Sequence, residues 1–168
     1  MYQRILVPVD GSPTSKQGLD EALRIATHTQ ARLRLVHVVD VTSAGMAMGL
    51  AFGGAGGFEF LRESGERILR EGQAAATALG IEADALLHDS SSSTVHELIA
   101  SDASRWPADL IVIGTHGRRG VERFVVGSCA EYLLRCTPVP VLLVRAPTVA
   151  ALSQAPVQNR EDTARQAP

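Results

Sequence analysis

The sequence predicts an α/β fold: a five-stranded parallel sheet, order 3-2-1-4-5, with helices on both faces. Three observations lead there. Short apolar runs alternate five times with stretches of helical period, and strands alternating with helices build parallel sheets covered on both sides. The first and fourth runs are the most apolar, which places them centrally. Pro140 sits in the fifth run, where it cannot donate to a ladder and so marks a sheet edge. The order 3-2-1-4-5 then satisfies right-handed crossovers.

Each element has its own signal. RILVPV, Arg4 to Val9, is the first strand and ends in Asp10-Gly11-Ser12-Pro13. Ser12 followed by Pro13 reads as a helix start: an oxygen for the unpaired N–H groups, and a proline at the first helical position. Leu19, Ala22, Leu23 and Ala26 continue that helix. RLRLVHVV, Arg32 to Val39, is the second strand. Leu61, Ile68, Leu69, Ala75, Ala76 and Leu79 mark a second helix, stopped by Gly80. IEADALL, Ile81 to Leu87, is the third strand. Val95, Leu98, Ile99 and Ala103 share one face of a third helix, and LIVI, Leu110 to Ile113, is the fourth strand. Cys129, Tyr132, Leu133 and Cys136 line a fourth helix ending at Thr137-Pro138, and VPVLLV, Val139 to Val144, is the fifth strand.

The 168 residues suit one domain with a tail. Residues 1–146 form the domain. Residues 147–168 mix Ala, Gln, Pro and charges without a lasting period and are expected to be disordered. Thr42 to Gly57 is an uncharged, Gly-rich insertion, read as a flexible loop. Its alternative role is a lid or partner surface using Met46, Met48, Leu50 and Phe52.

Net charge is −2 and aromatics are 4%, so no strong field or stacking platform recruits nucleic acid. No run of about 20 apolar residues would span a bilayer, and the N-terminus lacks a signal-peptide pattern. Neither a nucleic-acid nor a membrane partner is expected. Cys129 and Cys136, on one helix, would be separated by about 10.5 Å of rise, too far for a disulfide. Free thiols point to a cytoplasmic location.

Ligands of open α/β sheets bind beyond the strand C-termini where strand order reverses, here between strands one and four. Val9-Asp10-Gly11 ends one of these strands and Gly114 the other. Gly114, Gly117 and Gly127-Ser128 give the spacing G-x2-G-x9-G-S before the fourth helix. Glycines let a backbone approach a phosphate, and a helix N-terminus favours an anion. Ser128 is expected to cap that helix. Arg118 and Arg119 offer charge-assisted bonds. The alternative is an ordinary β-to-α connection. The stretch is neither a Walker loop nor a G-x-G-x-x-G fingerprint.

The combination of ILVPVDGSPTSKQGLDEAL, LRLVHVVD and ADLIVIGTHGRRGVERFVVGSCAEYLLRCTPVPVLLV resembles the universal stress proteins of the nucleotide-binding kind, from Ile5 to about Val144. The resemblance implies a Rossmann-like fold of the adenine nucleotide α-hydrolase-like group. It implies ATP, or ADP or AMP, with Mg or Mn on the phosphates. Pro8, Val9 and Asp10 would lie beside adenine and ribose, with Asp10 near the ribose or the phosphate-bound metal. Val38 would meet the adenine edge, and Ile113 and Gly114 would contact adenosine. Gly117, Gly127, Ser128, Cys129 and Ala130 would hold phosphates, with Arg118 the charged side chain beside them. The implied function is a nucleotide-dependent stress-response binding module, homodimeric through Val141, Leu142, Leu143 and Val144. The alternatives are a slow ATPase or autokinase, and a nucleotide-free dimeric scaffold. The Gly-rich insertion and the HDSSSST stretch depart from the family pattern.

Other candidates read more plainly. His37 is a structural strand histidine, and His116 a solvated loop residue. His88, Asp89 and His96 match no zinc spacing. Ser90 to Ser93 form a loop and cap. Cys129 at a helix N-terminus is open to a lowered pKa, though a packed, inert thiol is the simpler reading.

Overall fold

The computed structural model describes residues 1–40, 55–115 and 127–145. The elements run β1 (Arg4–Pro8), α1 (Pro13–Thr29), β2 (Arg32–Val39), α2 (Ala55–Ala78), β3 (Ala83–Asp89), α3 (Val95–Arg105), β4 (Leu110–Gly114), α4 (Ser128–Cys136) and β5 (Val141–Val144). The sheet order is β3-β2-β1-β4-β5, as the sequence predicts. All four pairings are parallel. β1 is central, with Arg4 opposite Arg32 on one side and Ile5 opposite Leu110 on the other.

Alternation along the strands builds two cores. Ile5, Val7 and Val9 face α1 and α2, against Ala22, Leu23, Ala26, Leu69 and Ala76. Leu6, Val36, Ile111 and Ile113 face α3 and α4, against Ile99, Ala103, Ala130 and Leu133. Ile5, Leu6 and Val7 are all 0% exposed, so β1 is covered on both faces, as a central parallel strand must be.

Ser12 caps α1: its Oγ accepts from the Ser15 amide at 3.2 Å, and Pro13 opens the helix. Gly80, past the end of α2, holds φ +69, the left-handed geometry that stops a helix.

Three elements differ from the sequence reading by more than one residue. β3 starts at Ala83 because the Ile81 amide closes the end of α2, donating to Ala76 at 2.9 Å. It then runs on to Asp89, opposite Val39. β5 starts at Val141 because the Val139 amide donates to Thr137 Oγ1 at 3.2 Å. Pro140 contributes only its carbonyl, accepting from Ile111 at 2.9 Å. Third, α2 begins at Ala55, so Ala55–Gly57 are helical rather than the end of a loop. The rest of the Gly-rich insertion and the tail from 147 lie outside the described residues.

Cys129 and Cys136 are free. Among the described residues, no helix is long and apolar enough to cross a membrane.

Candidate functional site

The site forms where β1 and β4 part at their C-terminal ends. The β1–α1 turn is tied by three short-range bonds. Asp10 Oδ1 accepts from the Ser12 amide at 2.9 Å, and the Asp10 amide donates to Ser15 Oγ at 3.0 Å. The Ser15 amide closes back on Ser12. Gly11 between them has φ +79, a conformation that costs a non-glycine residue about 1–2 kcal/mol. From below, buried His37 places Nδ1 2.6 Å from the Val9 carbonyl oxygen. A carbonyl only accepts, so Nδ1 is the donor.

This turn forms one wall of a slot of about 120 Å³. Its apolar lining is Val9, Val36, Val38, Val95, Ile99, Ile113 and Ala130. Asp10, Ser15 and Thr115 add polar side chains, and Pro8, Gly114, Gly127 and Cys129 complete it. An apolar slot with a few convergent polar groups is the usual make-up of a small-molecule site. A second, polar groove of about 480 Å³ adjoins the slot and shares Val95 and Cys129 with it. Its walls add Asp40, Ser90 to Thr94, His96, Glu97 and Ser128.

Three helices start around these cavities, and they start differently. α1 is capped by its own Ser12. At α3 the Glu97 carboxylate reaches back to accept from the Thr94 amide at 2.9 Å. That bond holds the Glu97 pKa below its usual range. The cap of α4 is Gly127, which has no side chain to offer. Its own amide donates to Thr115 O at 2.7 Å, and its carbonyl accepts from Glu131 at 2.9 Å. Helix geometry leaves the amides of Ser128, Cys129 and Ala130 without an intrahelical acceptor. Their residues line the slot and the groove.

Cys129 is not activated by this helix start. Burial, and after it the negative charge of Asp10, raise the thiol pKa from 9.0 to about 11. The inert reading is the one that fits.

Of the residues chosen from sequence, Pro8, Val9, Asp10, Val38, Ile113, Gly114, Gly127, Cys129 and Ala130 converge on one slot. Ser128 lines the groove instead. It is also the first helical residue and not the cap, because Gly127 keeps the extended backbone of a cap, φ −58 and ψ 146. Gly117 and Arg118, with His116 and Arg119, lie outside the described residues. Sequence reasoning missed Ser15, Val36, Val95, Ile99 and Thr115 as lining residues. Val95 and Ile99 did show as one apolar helix face, but nothing marked its end as the wall of a cavity.

His88 turns to Asp102, Nε2 to Oδ2 at 2.5 Å. The His96 ring lies against Tyr132 with centroids 4.0 Å apart. Among the described residues no three His, Cys, Asp or Glu side chains group to hold a metal.

The fold and the cleft define an open α/β protein with an apolar slot at the reversal of strand order. The family model of the universal stress protein family matches residues 1–145, and the chain belongs to that family. It is 32% identical over 150 residues to a universal stress protein of Methanocaldococcus jannaschii, covering 88% of this chain and 84% of that one. Among solved structures, a universal stress protein family member from Burkholderia pseudomallei is 34% identical, with TM-score 0.66, covering 86% of this chain and 97% of that one. A family protein from Arabidopsis thaliana, solved with AMP bound, shares the fold at 15% identity and TM-score 0.62, covering 87% and 93%.

Proposed function

We propose that the chain is an ATP-binding, cytoplasmic stress-response protein whose cleft works as a nucleotide-dependent binding module. The observation that carries this reading is the glycine-capped start of α4 at the mouth of an apolar slot. The slot suits a planar base. Asp10 and Ser15 at its edge suit ribose hydroxyls. The amides of Ser128, Cys129 and Ala130 suit phosphate oxygens, helped by the positive end of the helix. The starts of α1 and α3 each engage a side chain of their own, whereas the cap of α4 has none to offer. The family resemblance adds Gly117 to the phosphate contacts, and the charge of Arg118 adds a further donor.

The residues present also fit a Mg or Mn ion carried on the phosphates. Such an ion takes one or two carboxylates and completes its shell with phosphate oxygens and water. Asp10 in the slot, and Asp40 and Glu97 in the groove, are the carboxylates in place. When bound, the ion would neutralise phosphate charge.

The same proposal includes a homodimer through β5. It is an edge strand, and Val141 to Val144 are half-buried in the single chain. An antiparallel pairing across a two-fold axis would satisfy both edges.

Calorimetry with ATP, ADP, AMP and GTP tests the nucleotide reading. Binding of the adenine nucleotides in preference to GTP is expected, and indifference to all four overturns it. Sedimentation at micromolar concentration tests the dimer, which a monomer would refute.

A further inference from the structure

We infer that His88 and Asp102 are positioning residues for the slot: their hydrogen bond fixes α3, which carries one of the slot walls, against β3. This rests on the reading of the slot as the place of the nucleotide base, and it names the device that holds the slot's width.

Both partners stand next to a wall residue. Along the sheet, His88 is the register partner of Val38, and Val38 lines the slot. Along α3, Asp102 follows Ile99 by three residues, so the two share a helix face. Ile99 lines the slot as well, with Val95 one turn before it. His88 Nε2 lies 2.5 Å from Asp102 Oδ2. The bond therefore closes a clasp that runs from Val38 through His88 and Asp102 to Ile99, with a wall of the slot at each end.

The clasp adds what the apolar contacts lack. Ile99 and Ala103 pack in the core with Leu6 and Val36, but apolar burial is non-directional and lets a helix slide or turn on its sheet. A hydrogen bond has a narrow geometry. A carboxylate only accepts, so Nε2 is the donor. The surroundings keep the bond closed. Asp102 is 6% exposed, and a carboxylate so far out of water is costly unless paired. The Arg34 guanidinium of β2 adds an attractive charge nearby. Arg34 is itself held: Nε donates to Asp84 Oδ1 at 3.0 Å. Its guanidinium lies 4.7 Å above the centre of the Trp106 ring, where α3 ends. α3 is thus tied to β3 near its middle and to β2 at its end.

Three variants test this. His88→Gln keeps a donor near the position of Nε2. His88→Ala removes the donor. His88→Ala combined with Asp102→Ala also removes the carboxylate that would be stranded. Hydrogen exchange without nucleotide reads the clasp itself. Relative to α1, the amides of α3 should exchange about tenfold faster or more in both alanine variants, and within about threefold of wild type in His88→Gln. Calorimetry with AMP reads the slot. The double variant should bind about tenfold more weakly or worse, and His88→Gln within about threefold of wild type. The double variant should nevertheless melt above His88→Ala, since no buried carboxylate is left unpaired. Affinity should therefore not follow Tm. Unchanged exchange of α3 in the double variant overturns the clasp. AMP binding by the double variant equal to that of wild type overturns the positioning role. So does a loss in His88→Gln as large as in His88→Ala, which would make the ring's bulk the essential feature and not its donor. Wild type that fails to bind AMP overturns the nucleotide reading and the positioning role with it, and is told apart from the other outcomes because in those wild type binds.

Discussion

Gly114 meets the first turn of α1 so closely that a Cβ there would lie 2.6 Å from both the carbonyl carbon and the carbonyl oxygen of Thr14. The contact is backbone against backbone, so no side chain can swing away. Gly18 repeats it from the other side: its Cβ would lie 3.2 Å from the Gly114 amide nitrogen. The end of β4 and the start of α1 are thus docked through two glycines, which sets the spacing of the slot walls. Gly114→Ala should cost about 1–3 kcal/mol, lowering Tm by about 2–4 °C per kcal/mol. A thermal melt reads this directly, and an unchanged Tm would show that the helix yields.

His37 is 2% exposed, and it fixes the Val9 carbonyl from beneath. The ring has no slack, since a Cβ on Gly65 of α2 would lie 2.6 Å from its Cδ2. His37→Leu removes the donor with little change in side-chain volume. The buried Val9 carbonyl loses that bond, a loss of about 1–3 kcal/mol. Stability should fall by that order in urea unfolding. AMP affinity should fall too, because the Val9–Asp10 turn loses its anchor. Loss of stability with full affinity would confine His37 to the core.

Cys129 gives a pH prediction whose sign follows from burial. Its folded pKa is raised from 9.0 to about 11, so on the order of one thiol in a thousand is ionised at pH 8. Cys136 is exposed and should take a maleimide first. Mass spectrometry at pH 8 should show one fast label, on Cys136. The same shift is linked to stability. Between pH 9 and 11 the unfolded chain gives up a proton that the folded chain retains, so stability falls as pH rises through that window. Cys129→Ala should remove this part of the slope. Fast labelling of Cys129 at pH 8 would contradict the raised thiol pKa.

Much of this was legible in the sequence because local signals agreed. Ser12-Pro13 announced α1, Gly80 ended α2, and Pro140 placed β5 at the edge. Val9, Asp10, Gly114 and Gly127 followed from two strand ends and one helix start, and the family resemblance added Pro8, Val38, Ile113, Cys129 and Ala130. What stayed hidden depends on tertiary distance. Gly114 looks in sequence like a phosphate glycine, yet the lack of room for a Cβ is created by Thr14, far off in the chain. Ser15 and Thr115 carry no motif, and they line the slot only because α1 and β4 bring them there. Ala55 to Gly57 read as loop by composition, but Gly57 is buried in the first turn of α2. Packing has overridden propensity there.

Gly127 offers the sharpest separation of stability from function. Its backbone, φ −58 and ψ 146, is close to that of the Ser12 cap, φ −67 and ψ 158. That is an ordinary conformation for any residue, so chain geometry does not demand glycine there. Glycine is also an adequate rather than a good cap, behind Asp, Asn and Ser. What it uniquely does is leave the first turn of α4 without a side-chain cap. Gly127→Asp should fold its carboxylate onto the amides of that turn, as Ser12 does at α1. The fold should gain a few tenths of a kcal/mol from the cap and a similar amount from a negative charge at the helix start. The nucleotide should lose on both counts, since its phosphate finds the donors occupied and a like charge beside them. Scanning calorimetry should therefore show an equal or slightly higher Tm, while titration shows ATP and AMP affinity reduced at least about tenfold. A variant that is no less stable and binds as wild type does would show that the start of α4 is not where the phosphate sits.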